Sequence, residues 1–578
     1  MKNLIYICMV LISSISLALD FSEGPYGSEY FNIAGPLELE DLNALPKGDV
    51  NDDGLLNIQD VIMIIQYVIG NITNPSWIDV GDVNNDSIID VLDIVTTLNS
   101  ILSGSEPIWD FETEWNGQDS YIFINYTTSS GTLLASSTKE LLLNNSPMNV
   151  HYFFISDRTT YTADIQNLKS TFDEILDGLS IELQDHWNAH LHFVPQRTGA
   201  LNNWLEEALA GEDAIGIDRF QRIRETGYFG NPASFQGTYI HYLAHEAIYY
   251  NYEFETIYEP DEDYDEFVVL DEAYYTGGWA ASISETVNFP SDEELNQYSR
   301  MSVELLRGCP DSNMNYSDAG CDDYDRIAHM YICEIDGSDC YEAARWITPF
   351  DRQPHHLTDI SPFISLIRPG GEKMIKFQES GWPNSLISLK FRFYRDSNME
   401  PTESAQEIVP IWNGTIGFNP DYDNNRPPNA FQVPSNATKV EFVSYITGHG
   451  WGCDSYNCAE FCNSRHTFEL NGGTYEFSKD HPNASSSNYC MSLEAIAAGT
   501  IPNQYGTWGY GRAGWCPGQD VAPHIVDITE NIIIGEENII DYGACRVSGN
   551  NCFTPPTCPG NGCYCAEIAM SSYIIIYY

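Results

Sequence analysis

Basic residues are scarce in this chain, which has 26 Lys and Arg against 83 Asp and Glu and a formal net charge of -57. An excess of negative charge repels phosphate, so nucleic acid and anionic membrane surfaces are poor partners and cations are better ones. Long apolar runs are lacking after the first twenty residues, so the sequence predicts no membrane span. The apolar stretch from Leu4 to Leu17 follows Met1-Lys2 and precedes a small residue, Ala18. This pattern predicts a secretory signal peptide over residues 1–19.

Cysteine is absent between Cys8 and Cys309, whereas the remaining fourteen of the fifteen cysteines lie between Cys309 and Cys565. An even number in a secreted chain favours disulfides over a metal site. Short spacing or position suggests four pairs: Cys309 with Cys321, Cys333 with Cys340, Cys458 with Cys462, and Cys490 with Cys516. The sequence does not pair the others, which are Cys453, Cys545, Cys552, Cys558, Cys563 and Cys565.

An acidic repeat occurs twice near the start, with the second copy 33 residues after the first. Each copy places oxygen ligands at positions 1, 3, 5 and 12 of a loop, with a backbone carbonyl at position 7, as in an EF-hand-type calcium loop. The predicted ligands are Asp49, Asn51, Asp53, Leu55 and Asp60 in the first copy, and Asp82, Asn84, Asp86, Ile88 and Asp93 in the second. We therefore expect two structural Ca²⁺ ions.

The paired loops resemble a dockerin, a small α-helical two-calcium module, and we assign it residues 45–106 after a linker over 20–44. Asp at position 12 and the absence of an entering helix agree with dockerins. Ser87 stands where the second loop would use glycine. Positions 10 and 11 are Ile58-Gln59 and Val91-Leu92 rather than a polar pair, so a cohesin-like partner and docking within the same chain are both open.

Strand and helix patterns alternate from Tyr121 to Val194, which predicts an α/β domain over residues 107–255. It resembles a thioredoxin-like domain by pattern, but Thr127 to Ser130 stand where a Cys-x-x-Cys would lie, so redox chemistry is not expected. Its histidines, His190-x-His192 and His241-x-x-x-His245, could ligate zinc or copper. We expect ordinary surface or core histidines instead. The role of this domain stays open.

Short β-branched and aromatic runs separated by turn residues fill the last 310 or so residues, as in Lys439 to Ile446 and Ser572 to Tyr578. This length fits two antiparallel jelly-roll-like sandwiches, over residues 256–405 and 406–578. The predicted fold class is therefore multidomain and mainly β, preceded by the α/β domain and the calcium module.

Three segments place charged residues beside closely spaced cysteines and aromatics. Asp325 follows Tyr324 and precedes Arg326, Glu460 lies between Cys458 and Cys462, and Arg512 precedes Trp515. A carboxylate between an aromatic ring and an arginine suits general-base work on water. Arginine donates to sugar or carbonyl oxygens, and an indole stacks on a pyranose.

These segments resemble the peptide:N-glycosidase F family, whose members cut N-glycans from asparagine. The resemblance runs in order over residues 265–578, through Cys321-Asp-Asp-Tyr-Asp-Arg326, Cys458-Ala-Glu-Phe-Cys462 and Gly511-Arg-Ala-Gly-Trp-Cys-Pro-Gly518. It implies a secreted amidase that hydrolyses the Asn–GlcNAc bond of N-glycoproteins and needs no cofactor for catalysis. Asp325 and Glu460 would be the catalytic carboxylates, Glu379 would support them, and the site would lie between the two sandwiches.

The resemblance also implies a set of substrate-binding residues. Tyr324 and Phe461 stand where the family has tryptophans. The set comprises Tyr324, Arg326, Trp382, Trp451, Phe461, Arg512 and Trp515.

Two other functions compete with the amidase. A copper monooxygenase of the peptidylglycine type shares twin sandwiches, but it needs several histidine ligands and a methionine, and here His355-His356 alone is suggestive. A non-catalytic glycan-binding protein attached to a scaffold through the calcium module is the other alternative.

Overall fold

The computed structural model describes residues 19–44, 47–51, 55–73, 75–84, 86–103, 107–230, 237–258, 263–279, 281–311, 313, 320–379, 384–395, 404–560 and 563–578. The predicted signal peptide lies outside these residues, apart from Leu19. Within this described part, no helix is long and apolar enough to cross a membrane. Contacts divide the chain into two units, residues 1–131 with 148–225 and residues 132–147 with 226–578.

A five-stranded sheet forms the centre of the first unit. Its first three strands are parallel and the last two are antiparallel to their neighbours. Parallel strands are covered on both faces, which explains the unbroken apolar run Tyr121 to Ile124. In sheet order the strands are Leu191–Arg197, Val150–Ser156, Ser120–Tyr126, Ala214–Ile217 and Ile223–Glu225. Helices Phe111–Glu114, Tyr161–Leu176, Ile181–His190 and Trp204–Ala208 and the 3₁₀ turn Thr198–Ala200 belong to the same unit.

Residues 20–44, which the sequence suggested as a linker, form part of this core. Strand Glu38–Glu40 pairs antiparallel with Ile108–Asp110. Leu37 and Leu39 are buried with Trp109. The reason is the alternation of apolar and acidic residues, Leu37-Glu-Leu39-Glu, which suits a strand with one buried face.

Two helices follow the acidic loops, Ile58–Val68 and Val91–Ser103, with the short helix Ile78–Gly81 between them. Asn57 and Asp60 form a capping box at the start of the first helix. Asp60 and Asp93 are fully buried and their carboxylates accept backbone amides of their own loops. Ser87 has a φ of 67°, the left-handed conformation that glycine usually supplies.

The second unit contains a sandwich of one four-stranded and one five-stranded antiparallel sheet. In sheet order the first consists of His355–Asp359, Arg300–Gly308, Ser385–Tyr394 and Tyr264–Tyr275. The second consists of Gln519–Asp520, Tyr341–Ile347, Ile327–Cys333, Gly371–Glu379 and Ala281–Phe289. Alternate residues of these strands, such as Met301, Val303 and Leu305, fill the space between the sheets.

A second antiparallel sandwich follows. One sheet has the order Glu407–Gly417, Glu567–Tyr577, Lys439–His449 and His524–Asp527. The other has the order Asn429–Gln432, Glu537–Ser548, Ser464–Leu470 and Tyr475–His481, and Asn551–Phe553 pairs with Glu537–Ser548.

The two sandwiches share a pair of central strands. Along Glu567–Tyr577, Tyr573 and Ile575 pack into the first core, whereas Ile574 and Ile576 pack into the second. Lys439–His449 alternates in the same way. Burial on both faces is the physical reason for the continuous apolar run near residue 575.

Several short elements complete this unit. Helix Leu243–Glu253 contributes Glu246, which is fully buried and pairs with Arg352 at 2.8 Å. Residues 226–255 and 132–147 therefore group with the sandwiches, unlike the single 107–255 domain that the sequence suggested. The other short elements are Gly131–Leu134, Lys139–Asn145, Ile240–Tyr242, Phe254–Tyr258, Asp292–Leu295, Ser361–Leu366, Asp423–Asn425, Leu493–Ala497 and Thr529–Asn531.

Disulfides pair all fourteen cysteines from Cys309 onward. Four pairs match the sequence expectation: Cys309–Cys321, Cys333–Cys340, Cys458–Cys462 and Cys490–Cys516. The three that the sequence left open are Cys453–Cys563, Cys545–Cys552 and Cys558–Cys565.

Candidate active site

Asp325, Glu460 and Arg512 converge on one cleft of about 1090 Å³, which Asp325 and Glu460 line. Arg512 Nη2 lies 3.2 Å from Asp325 Oδ2, and its Nε lies 3.6 Å from Glu460 Oε1. Asp325 comes from the first sandwich, while Glu460 and Arg512 come from loops of the second. The cleft thus lies where the two sandwiches meet.

A short loop positions Asp325. Cys321 is bridged to Cys309, and the Asp322 carboxylate accepts the backbone amide of Tyr324 at 3.0 Å. Immediately after Asp325, the amide of Arg326 donates to Thr348 Oγ1 at 2.8 Å, and strand Ile327–Cys333 begins. The carboxylate therefore lies just before the start of a strand, on backbone that is held on both sides.

Glu460 lies between Cys458 and Cys462, which are four residues apart and form a disulfide. Its amide donates to Gly450 O at 3.2 Å, and its carbonyl accepts the amide of Ala513 at 2.9 Å. The second contact ties the Glu460 loop directly to the residue after Arg512, so the two charged side chains are positioned together.

The Arg512 guanidinium is held by its own loop, and 1% of the side chain is exposed. Nη1 donates to Thr507 O at 2.8 Å and to Tyr510 O at 2.6 Å, and Nη2 donates to Thr507 Oγ1 at 2.9 Å. One fixed cation therefore faces two carboxylates.

The presence of two carboxylates and one arginine affects the protonation of Asp325 and Glu460. Burial raises the pKa of Glu460 to about 8, the charge of Asp325 adds to the rise, and Arg512 opposes it. Burial also raises the pKa of Asp325, although Arg512 and Arg326 favour its charged form. Arg512 lies between two carboxylates whose pKa values are both raised, so the two groups bind their protons as a coupled pair.

Aromatic side chains surround these charges. Tyr324 is 59% exposed and Trp451 is 53% exposed, and both line the cleft with Phe461 and Arg326. Sequence reasoning missed further exposed rings in the lining, which are Trp279, Tyr456, Tyr505 and Tyr564. They come from separate loops, and no shared motif marks them. Rings at the mouth of a cleft are suited to the apolar faces of sugars.

Trp515 differs from the expectation that it would stack on a sugar. Its ring is buried, its Nε1 donates to Gly448 O at 2.9 Å, and its centroid lies 5.1 Å from the Arg512 guanidinium carbon. Trp515 thus packs against the buried side of Arg512 and is not part of the cleft lining. Trp382 lies outside the described residues.

Glu379 also differs from the expectation of a supporting carboxylate at the site. Its side chain is fully buried and makes two hydrogen bonds of 2.7 Å with Arg307. Among the described residues Glu379 is not part of the cleft lining. Arg307 and Glu379 belong to opposite sheets of the first sandwich, so the pair joins the two sheets across the core.

Replacing Glu379 with Gln should therefore affect stability first. It leaves the buried Arg307 without a counter-charge, and we expect a loss of about 3–5 kcal/mol in the free energy of unfolding. Denaturant unfolding measures this loss, and Glu372→Gln, an exposed position on the same strand, is the matched control. A variant of unchanged stability with a lower kcat would instead give Glu379 a role in catalysis.

The histidine pair that suggested copper has other partners. His355 Nε2 lies 3.0 Å from Glu304 Oε1, and its Nδ1 lies 3.6 Å from Glu253 Oε1. His356 is buried. An imidazole between two carboxylates is an ion-pair arrangement, unlike the histidine and methionine set of a copper monooxygenase.

The C-terminal part of the chain is similar to known proteins. Residues 418–575, which include Glu460 and Arg512, match the family model described as peptide-N-glycosidase F, C terminal. The peptide-N(4)-(N-acetyl-beta-D-glucosaminyl)asparagine amidase F of Elizabethkingia miricola is 26% identical over 286 residues, which cover 46% of this chain and 72% of the relative. The C-terminal part of the chain is therefore homologous to a peptide-N-glycosidase F.

Solved structures give weaker matches. PNGase F from Flavobacterium meningosepticum has a TM-score of 0.41 and 23% identity, covering 55% of this chain and 96% of that one. PNGF-II has a TM-score of 0.40 and 15% identity, covering 54% of this chain and 65% of that one.

Proposed function

We propose that this protein hydrolyses the amide bond between asparagine and the innermost N-acetylglucosamine of N-glycoproteins. The chain is an amidase of the peptide:N-glycosidase class. The observation that carries the proposal is the meeting of Asp325, Glu460 and Arg512 in an aromatic-lined cleft. The homology of residues 418–575 supports it.

The geometry suggests a role for each group. Asp325 accepts a proton from the attacking water, whose oxygen bonds to the amide carbon. Protonated Glu460 donates a hydrogen bond to the substrate oxygen on which negative charge develops, and Arg512 holds Asp325 and Glu460 in position from behind. The C–N bond then breaks, the nitrogen of the leaving glycosylamine takes the proton that Asp325 accepted, and asparagine becomes aspartate. The exposed rings bind the core sugars.

Mass spectrometry tests this function directly. Incubation with an N-glycopeptide should release the glycan and convert asparagine to aspartate. In ¹⁸O-labelled water the new aspartate should carry one heavy oxygen. Release that leaves N-acetylglucosamine on the peptide, or no release, would contradict the proposal.

The pKa of Glu460 predicts the alkaline limit of activity. Since the mechanism uses protonated Glu460 and ionised Asp325, kcat/KM should fall above about pH 8 and also on acidification through the raised pKa of Asp325. Kinetics from about pH 5 to about pH 10 measure both limbs. In Glu460→Gln, whose amide cannot lose this proton, residual activity should lack the alkaline limb. An unaltered limb in that variant would assign it to another group.

We also propose that the two acidic loops bind Ca²⁺. In the second loop, Asp82 accepts the amides of Asp86 and Ser87, and Asp93 accepts those of Val83 and Asn84. These bonds gather the carboxylates inside the loop, as hard-cation sites require. Asp49, Asn51, Leu55 and Asp60 offer the same set in the first loop, and Asp53 lies outside the described residues. A cohesin-like partner for this module remains a prediction.

Calcium titration of the full chain should give two sites, and Asp93→Ala should remove one of them because it deletes a buried ligand. Isothermal calorimetry measures the stoichiometry, with exposed Glu112→Gln as the control. Glycan release should continue in a calcium chelator, since no step uses the metal. Two intact sites in Asp93→Ala would disprove the assignment of the second loop.

The disulfides fit an extracellular site of action. Secreted proteins form such bridges, and N-glycoproteins occur in the same environment. We propose that the protein is secreted and acts there.

A further inference from the structure

A cluster of histidines in the first unit takes no part in the proposed amidase reaction. Asp119 directly precedes strand Ser120–Tyr126, and His151 lies on strand Val150–Ser156. His190 ends helix Ile181–His190, and His192 lies on the next strand. The parallel pairing of these strands brings their amino ends together, so residues far apart in sequence meet at one edge of the sheet.

The spacing of three side chains suits a metal ion. Asp119, His151 and His190 each present one ligand atom, and these atoms all lie within 4.8 Å of one another. His151 Nε2 and Asp119 Oδ2 are 3.2 Å apart. Two ligands of a tetrahedral zinc ion, each about 2.0–2.1 Å from the metal, are separated by about 3.3 Å.

A chain of close polar contacts runs through the cluster. Asp41 Oδ2, His192, His151 and Asp119 Oδ2 are joined by contacts of 2.8, 2.9 and 3.2 Å. If His151 Nδ1 donates to His192 Nε2, the other nitrogen of the His151 ring, Nε2, keeps its lone pair and faces Asp119.

Neighbouring groups orient the proposed ligands. His190 Nδ1 lies 2.8 Å from His186 O, which accepts its N–H and leaves Nε2 with its lone pair. Asn116 Nδ2 donates to Asp119 Oδ2 at 2.6 Å. A carboxylate or carbonyl behind each histidine is the usual second layer of a zinc site, and Asp41 fulfils that function for His151 through His192.

His186 lies next to the three proposed ligands. Its ring lies 3.9 Å from that of His190, and its Nε2 is buried with no hydrogen-bond partner.

We propose that Asp119, His151 and His190 bind one divalent transition-metal ion, for which zinc is the best fit. Two imidazole nitrogens and one carboxylate oxygen are ligands typical of zinc, and water can fill the fourth position of a tetrahedral ion. The ion links the end of helix Ile181–His190 to the adjacent strands, in a unit that has no described disulfide of its own.

Metal titration of the full-length protein tests the proposal. After removal of metals with EDTA and addition of excess Ca²⁺, Zn²⁺ competition against a chromophoric chelator should give one tight site per chain. Co²⁺ should produce the intense visible bands of a four-coordinate ion, saturating at one equivalent. Weak six-coordinate bands, or Co²⁺ binding without saturation, would overturn the proposal. This measurement uses only the wild-type protein.

Variants identify the ligands. His190→Gln should abolish the tight site, and Asp41→Asn, which acts through His192, should weaken it about 10–100-fold. His241→Gln, at a partly exposed histidine of the other unit, should bind zinc as the wild type does. Zinc should raise the Tm of the wild type and not that of His190→Gln. Equal zinc affinity in His190→Gln and the wild type would place the ion elsewhere.

Discussion

Asp325→Asn should reduce kcat for glycan release by at least about 10²–10⁴-fold, because it removes the group that accepts a proton from water. The amide keeps the size of the side chain and can still contact Arg512, which lies 3.2 Å away. KM should therefore change much less than kcat. Single-turnover release of a fluorescent glycopeptide measures the chemical step without interference from product release.

Asp421→Asn is the matched control for this substitution. Asp421 is exposed in a turn of the second sandwich, outside the cleft lining. It undergoes the same chemical change and should retain wild-type activity. Wild-type kcat in Asp325→Asn would remove Asp325 from the reaction and with it the proposed mechanism.

Arg512→Lys should also be severe, with a loss of about 10²-fold in kcat, because Arg512 positions both Asp325 and Glu460 and small displacements of reacting groups have effects of this size. An ammonium group cannot reproduce the forked contacts to Thr507 and Tyr510 while it also faces Asp325 and Glu460. With the charge displaced, the alkaline limb assigned to Glu460 should move as well. The pH profile of the variant therefore separates a loss of positioning from simple unfolding.

Arg465→Lys is the control, because Arg465 makes a two-pronged pair with Asp480 on the exposed surface. Exposed pairs contribute little to stability, so this variant should keep its activity and its Tm. Full activity in Arg512→Lys would show that charge alone, without the geometry of the guanidinium, is sufficient.

The centre of the cleft carries more signal in the sequence than its surroundings do. Asp325, Glu460 and Arg512 lie in short cysteine-bounded segments, where local spacing already restricts the backbone. Trp279, Tyr505 and Tyr564 come from three unrelated loops, and their convergence depends on how the sandwiches pack. A single sequence carries no signal for such long-range contacts.

Burial explains where side chains lie in positions that the sequence did not lead us to expect. Glu379 and Trp515 have the residue types of a glycan site, but Glu379 is sequestered by Arg307 and Trp515 stands behind Arg512. Residue type indicates what a side chain can do, whereas accessibility depends on the tertiary fold. For the same reason the sequence places Leu37 and Leu39 in a linker, whereas in the structure strand Glu38–Glu40 pairs with Ile108–Asp110.

Strands Lys439–His449 and Glu567–Tyr577 pack into both cores, and this packing determines which fragments of the enzyme can fold. The family model begins at residue 418, yet a fragment that starts there would expose Val443, Tyr445, Tyr573 and Ile575, which belong to the core of the preceding sandwich. Such a fragment presents an apolar sheet face to water and is prone to aggregate. The boundary of sequence similarity is therefore not a boundary of folding, and we expect the two sandwiches to unfold in one transition.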